Sequence, residues 1–353
     1  MISSVDKPAS APTLAQLSSF DEIIDVRSPS EFAEDHIPGA VNLPVLDDAQ
    51  RAQIGTLHKQ ASAFEAKKAG AGLVSRNIAR HLEAHFAAKP ISYRPLIYCW
   101  RGGNRSGSLT HVLQKIGFRA EALPGGYKTY RRAVREELET LPAQFRYRVL
   151  CGPTGSGKSR LLAALARAGA QVLDLEALAQ HRGSLLGLPP DGVQPSQKYF
   201  DSLLAAALRT LDEQQPVYVE AESKKIGNLG VPDALLVAMR ASPCVRLDVP
   251  LPARVRLLLE DYDHFLAQPE LLTGQLAHLA DLRGHAVVER WRELIRTGQW
   301  QALVQSLLEE HYDPAYARSL ARNYPARADD TTLPLAALDA ASLDTAARQL
   351  LAA

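Results

Sequence analysis

The chain has 353 residues, 46% hydrophobic and 22% charged, with a net charge of +1, which fits two soluble globular domains with full cores. No apolar run reaches the ~18 uninterrupted residues of a membrane span, and the opening Met-Ile-Ser-Ser-Val-Asp-Lys-Pro lacks the basic start and apolar core of a signal peptide. The three cysteines, Cys99, Cys151 and Cys244, form neither a disulfide framework nor a zinc-ligand spacing, so a cytoplasmic enzyme with a free thiol is expected.

In chain order, the apolar runs predict strands at 22–26 and 41–45, helices within 60–88, a strand at 95–99 and a helix at 105–116. A strand at 119–122, a turn at Pro124-Gly125-Gly126 and a charged helix over 127–140, ended by Pro142, complete this series. A second alternating series follows, with strands at 146–151, 171–174, 216–220 and 244–249 and helices at 157–168, 196–211 and 231–241. Alternation of this kind implies α/β domains with mainly parallel sheets. The expected domains are 1–142, 143–250 and a helical C-terminal region, 251–353, packed on the second. Residues 252–323 read as wholly helical, and the remainder as a weakly packed tail.

The stretch Pro95-Leu-Ile-Tyr-Cys99-Trp-Arg101-Gly102-Gly103-Asn104-Arg105-Ser106 carries one cysteine from a strand into a glycine-rich loop before a helix. Backbone N–H groups and a helix N-terminus there favour the thiolate, the reactive form of cysteine. Arg101 and Arg105 are candidates to orient the loop or hold an anion. Cys151 and Cys244 lie at the edges of apolar strands and read as inert core. Upstream, Asp25-Val-Arg27-Ser-Pro-Ser-Glu-Phe and His36-Ile-Pro-Gly-Ala-Val-Asn-Leu-Pro44 resemble the signature of the rhodanese family. The resemblance implies a strand-to-helix cysteine that carries transferable sulfur. Five residues separate Cys99 from Arg105, whereas single-domain rhodaneses usually have four. The longer loop suits a larger chalcogen or a tetrahedral oxyanion. Asp25 reads as structural, and Arg27 as a side chain within reach of the pocket mouth.

Gly152-Pro-Thr154-Gly155-Ser156-Gly157-Lys158-Ser159 matches the P-loop pattern between a predicted strand and helix. Its glycines let the backbone wrap a phosphate, Lys158 neutralises it, and Ser159 can hold Mg²⁺. Glu220 and Glu222, after the strand at 216–220, are candidate substrate or metal contacts, with Lys224 and Arg182 beside them. Glu222 with Lys224 fits a surface ion pair equally well. His181-Arg182-Gly183-Ser184 and Gln194-Pro-Ser-Gln197 suit contacts to phosphate or a base edge, or plain loop and cap chemistry. Lys128, Arg131, Arg132 and Arg135 with Tyr127 and Tyr130 form a candidate nucleic-acid patch or a solvated helix face. Arg246, Arg254, Arg256, Arg290, Arg292 and Arg296 with Trp291 and Trp300 suit single-stranded RNA, or amphipathic helices on a core.

The two loops in this order, with Glu220-Ala-Glu222-Ser-Lys-Lys-Ile-Gly and His311-Tyr-Asp-Pro-Ala-Tyr316, closely resemble the bacterial tRNA 2-selenouridine synthase family over roughly 15–325. That resemblance implies a transferase that replaces the sulfur of wobble 2-thiouridine with selenium from selenophosphate, through an S-geranyl species made with geranyl diphosphate. It implies tRNA as substrate, no tightly bound cofactor, Mg²⁺ as a candidate ion, and selenophosphate synthetase as a candidate partner. On it, Lys158 and Ser159 hold geranyl diphosphate, and Cys99 relays selenium as a selenosulfide-type species with Arg101 and Arg105 on the oxyanion. The competing expectations are a thiosulfate-type sulfurtransferase fused to a small-molecule kinase and a non-catalytic RNA-binding or regulatory module with a vestigial thiol loop, against which the intact Cys99 and Lys158 weigh.

Overall fold

The computed structural model describes residues 14–183, 192–277 and 279–352. The chain divides into two compact units, one running to Glu137 and taking in Asp201–Leu203, the other comprising the rest.

The first unit is built on β1 (Glu22–Asp25), α1 (Pro29–Glu34), β2 (Val41–Asn42), α2 (Asp48–Gln60), α3 (Ala63–His81), β3 (Pro95–Tyr98), α4 (Asn104–Ile116), β4 (Glu121–Ala122) and α5 (Gly126–Thr140). Its four strands pair in the order β2-β1-β3-β4, all parallel. Every residue of β3 is buried, as a central parallel strand covered on both faces must be. Ile24 and Ile97 from the strands meet Leu109 and Leu113 of α4 and Phe86 in one core. The helical stretch starts at Asp48 rather than near 60, because Asp47 caps the Gln50 amide and the Gln50 side chain reaches back to the Asp47 amide.

The second unit opens with β5 (Tyr147–Cys151), α6 (Lys158–Arg167), β6 (Gln171–Leu173), α7 (Leu175–Ala179), α8 (Gln197–Arg209) and β7 (Val217–Glu220). The small hairpin β8 (Lys225–Ile226) and β9 (Leu229–Gly230), then α9 (Asp233–Arg240) and β10 (Cys244–Asp248), follow. Among the described residues there follow α10 (Leu251–Asp261), α11 (Asp263–Ala267), α12 (Pro269–Ala277), α13 (Ala280–Arg283), α14 (His285–Arg296), α15 (Trp300–Leu307) and α16 (Asp313–Asn323). β11 (Thr331–Pro334) and α17 (Ala340–Ala352) close the chain.

The sheet order is β11-β10-β5-β7-β6, all parallel, with the phosphate-loop strand β5 at its centre. The expected weakly packed tail is therefore corrected. β11 pairs with β10, and Leu333, Leu335, Leu338, Leu343, Ala346 and Ala347 are buried with Leu150, Leu161 and Leu165 in one core. The stretch holds an edge strand, Thr331–Pro334, and a covering helix, Ala340–Ala352. The intervening helices have their own core around Leu276, Trp291, Leu303 and Leu307. Among the described residues no helix is long and apolar enough to cross a membrane.

Candidate active site

Cys99 follows β3 directly, and the next turn of chain becomes the N-terminus of α4. Its sulfur lies 3.3 Å from the Ser106 hydroxyl. Burial pushes this thiol's pKa up, but the Ser106 hydroxyl and the amides of Ser106, Arg101 and Gly103 outweigh it, and the net shift is downward. The loop is locked from behind by backbone. The amides of Tyr127 and Lys128 donate to the carbonyls of Cys99 and Trp100 at 2.8 and 3.0 Å. Gly102 and Gly126, at φ +63° and +56°, pass so closely that a Cβ on Gly126 would sit 2.2 Å from the Cys99 carbonyl oxygen. That contact is why the Pro124-Gly125-Gly126 turn belongs to the thiol site.

In front of Cys99 lies a cleft of about 1270 Å³ of open space, lined by Glu31, Glu34, Arg51, Arg101, Gly103 and Arg105 among others. Arg105 does reach the site, held at 2.7 Å by Glu31, which Arg51 also approaches at 3.1 Å. Burial raises the Glu31 pKa, the hydrogen bond and charge of Arg105 lower it, and the net is downward. Arg101 is exposed on the rim. Asp25 is structural as expected, accepting from the Arg27 amide at 2.8 Å. Arg27 does not reach the mouth: it is 1% exposed, paired with Asp25 at 2.6 Å and stacked over Tyr127 at 4.0 Å. Glu31 and Arg51 went unrecognised as site residues, although the Ser28–Glu31 capping box marked Glu31 as a fixed position.

The phosphate loop joins β5 to α6, and Lys158 reaches back across it to the Gly152 carbonyl at 2.9 Å. Ser159 donates to Glu176 at 2.9 Å. Glu220 ends β7, beside the phosphate-loop strand, in register with Leu150. One Glu220 oxygen accepts from the Glu176 amide at 2.9 Å, and the other is buried without a hydrogen-bond partner. Burial, then the charges of Asp174 and Glu176, hold the Glu220 carboxyl well above its ordinary pKa. Burial, then the Glu176 charge, push Glu222 up to about 8. A buried carboxylate oxygen with no partner and acids that resist ionising are together what a bound cation would relieve. The residues fit Mg²⁺ held by Ser159 and Glu176 with phosphate oxygens and water. Among the described residues, no three His, Cys, Asp or Glu side chains form a cage of their own.

Lys224 stays outside this cluster: it is exposed and pairs with Asp233 at 3.2 Å, so a Glu222–Lys224 surface pair does not form. Arg182 donates to the Asp261 carbonyl at 2.5 Å and lies over the Tyr262 ring at 5.0 Å. His181 accepts from the Gly183 amide, and Ser184 lies outside the described residues. The amides of Gln194 and Gln197 are taken up by backbone groups of the β8–β9 hairpin.

In the aromatic–basic patches the rings of Tyr127, Tyr130 and Trp291 turn inward. Tyr127 and Tyr130 are core residues, whereas Lys128, Arg132 and Arg135 are exposed. Trp291 is fully buried, and Arg246, Arg254, Arg290, Arg292 and Arg296 are each paired with a carboxylate. Cys151 and Cys244 are buried free thiols, and Cys151 is pushed far up by its hydrogen bond with Cys244 and by burial.

Residues 10–133 match the model of a rhodanese-like domain, and residues 145–273 match the AAA domain of tRNA 2-selenouridine synthase. Proteins named tRNA 2-selenouridine synthase are similar along much of the chain. The one from Nitrosomonas europaea is 38% identical over 68% of this chain and 63% of its own length. That from Bdellovibrio bacteriovorus is 37% identical over 68% and 64%, so the matched stretch spans under two thirds of both relatives. The Alcanivorax borkumensis protein is 33% identical over 85% of this chain and 90% of its own. With a thiol loop and a phosphate loop built as above, in that order, this chain belongs to the tRNA 2-selenouridine synthase family.

Proposed function

We propose that this chain exchanges the sulfur of 2-thiouridine at the tRNA wobble position for selenium from selenophosphate, by way of an S-geranyl intermediate. The reading is carried by one observation: a stabilised thiolate and a phosphate cradle occur in one chain whose relatives bear that synthase name. In the first step the thiocarbonyl sulfur attacks C1 of geranyl diphosphate, and the diphosphate leaves with the C–O electron pair. Lys158, the loop amides and Ser159 hold that leaving group, and Mg²⁺ would neutralise part of its charge. Alkylation turns the sulfur into a leaving group, so a selenium nucleophile adds at C2 and geranylthiol departs.

Selenium in selenophosphate is already at the selenide level, so a selenosulfide on Cys99 would need a two-electron oxidant that neither co-substrate supplies. The balanced role for Cys99 is attack on phosphorus: an S–P bond forms, the P–Se bond breaks, and hydrogen selenide is freed. Water then releases phosphate from Cys99. The loop amides and Arg101 face the oxyanion, and Glu31 fixes Arg105 beside them. The test is nucleoside mass analysis of thiolated tRNA incubated with the protein and geranyl diphosphate, with and without selenophosphate. A geranyl adduct without selenophosphate and a selenium adduct with it are expected. ATP turnover with persulfide transfer to cyanide, and no adduct, would instead establish the sulfurtransferase–kinase reading.

A further inference from the structure

An apolar cavity opens beside the phosphate loop, within the second unit. Leu258, Tyr262, Leu266, Trp300, Val304 and Leu307 are among its walls, Thr154 of the loop lines it, and it holds about 580 Å³ of space, part of it open to solvent. Its position is fixed by two contacts with the loop. Leu258 packs so tightly on Gly155 that a Cβ there would lie 3.0 Å from its side chain. Arg254, itself buried, donates to the Thr154 carbonyl at 2.9 Å and to both carboxylate oxygens of Asp313 at 3.0 and 2.6 Å. The loop's rim and the cavity's wall therefore form one rigid piece.

A cavity of this composition with a phosphate cradle at its edge selects an amphiphile with an anionic head and a hydrocarbon chain. A nucleoside would bury the polar edge of its base among these side chains with few partners. We infer that the cavity between α10, α11, α12 and α15 binds the isoprenoid chain of a prenyl diphosphate whose head lies on the phosphate loop. This rests on the reading of that loop as a diphosphate site. The C-terminal helices then measure the hydrocarbon chain, with Val304 and Leu266 as walls that set its length.

The experiment is calorimetry on the full chain with Mg²⁺, titrating inorganic diphosphate, dimethylallyl diphosphate and geranyl diphosphate. Each buried methylene multiplies affinity about fourfold, so geranyl diphosphate should bind roughly 10³-fold more tightly than inorganic diphosphate if half its ten carbons are enclosed. Dimethylallyl diphosphate should fall between them. Val304→Trp fills the cavity and should bring geranyl diphosphate down to the level of inorganic diphosphate. Leu266→Asp, at an exposed wall position, should lower it in the same direction. Unchanged binding of inorganic diphosphate shows that either variant is folded. Geranyl diphosphate binding no tighter than inorganic diphosphate, or keeping its advantage in both variants, overturns the inference and leaves the loop's reading intact. Binding of none of the three ligands removes that reading, and the inference with it.

Discussion

Replacing Gly126 by Ala would put a methyl carbon 2.2 Å from the Cys99 carbonyl oxygen and 2.5 Å from the Gly102 amide nitrogen, at a φ of +56°. The left-handed backbone alone costs about 1–2 kcal/mol. A carbon normally keeps about 3.3 Å from a carbonyl oxygen, so the thiol loop must also retreat by roughly 1 Å. Both neighbours are main chain, and neither can swing aside as a flexible side chain would. A displacement of about 1 Å in a reacting group costs on the order of 10² in rate. The amides of Arg101 and Gly103 that stabilise the thiolate would lose their aim. Gly39→Ala is the control, because φ is +82° there and nothing lies within 4 Å of the added carbon. Gly39→Ala should melt lower by roughly 5–10 °C for a domain of this size, and Gly126→Ala, which adds the main-chain clash, by more. Only Gly126→Ala should slow alkylation of Cys99 by iodoacetamide at neutral pH, by at least about tenfold, and selenation by roughly 10²-fold. Wild-type alkylation kinetics in Gly126→Ala would refute the claim that this turn sets the thiol.

Other expectations follow from the same geometry. Ser106→Ala removes the hydroxyl 3.3 Å from the sulfur, so the midpoint of Cys99 alkylation against pH should move upward; an unchanged midpoint would assign the shift to the amides alone. Glu31→Gln weakens the hold on Arg105 and should cost about 1–3 kcal/mol. Because the folded Glu31 pKa is lowered, this difference should be full above the unfolded value, near 4.5, and fade as pH falls through the folded one, checked by melting temperature against pH. Glu222 has the opposite sign, with a folded pKa raised to about 8. Wild-type stability should fall by up to about 1.4 kcal/mol per unit as pH climbs from 4.5 towards 8. Glu222→Gln should flatten that slope, and a variant as pH-sensitive as wild type would contradict the carboxylate-cluster account.

Most of the fold was legible because its signals are local. Apolar runs bounded by glycine and proline located both sheets, and the two anion loops announced themselves by pattern. What sequence could not supply is what long-range packing decides. Arg27 sits in a motif beside the thiol yet turns inward to Asp25 and Tyr127, because a buried carboxylate at a strand end needs a partner. Thr331–Pro334 has too short and mixed a pattern to read as a strand until β10 offers an edge. Tyr127 and Tyr130 sit in a basic helix but face the core at helical spacing, so composition suggested a surface where periodicity made a wall. The apolar cavity drew its walls from well-separated helices and one loop residue, an assembly no window of sequence contains.

The central claim is a division of labour between Cys99 and Lys158, and Cys99→Ser tests it most directly. Thiolated tRNA would be incubated with this variant, geranyl diphosphate and selenophosphate, and its nucleosides analysed by mass. S-geranyl-2-thiouridine should accumulate while 2-selenouridine is absent. Loss of both products together, or selenation at the wild-type level, would contradict that division.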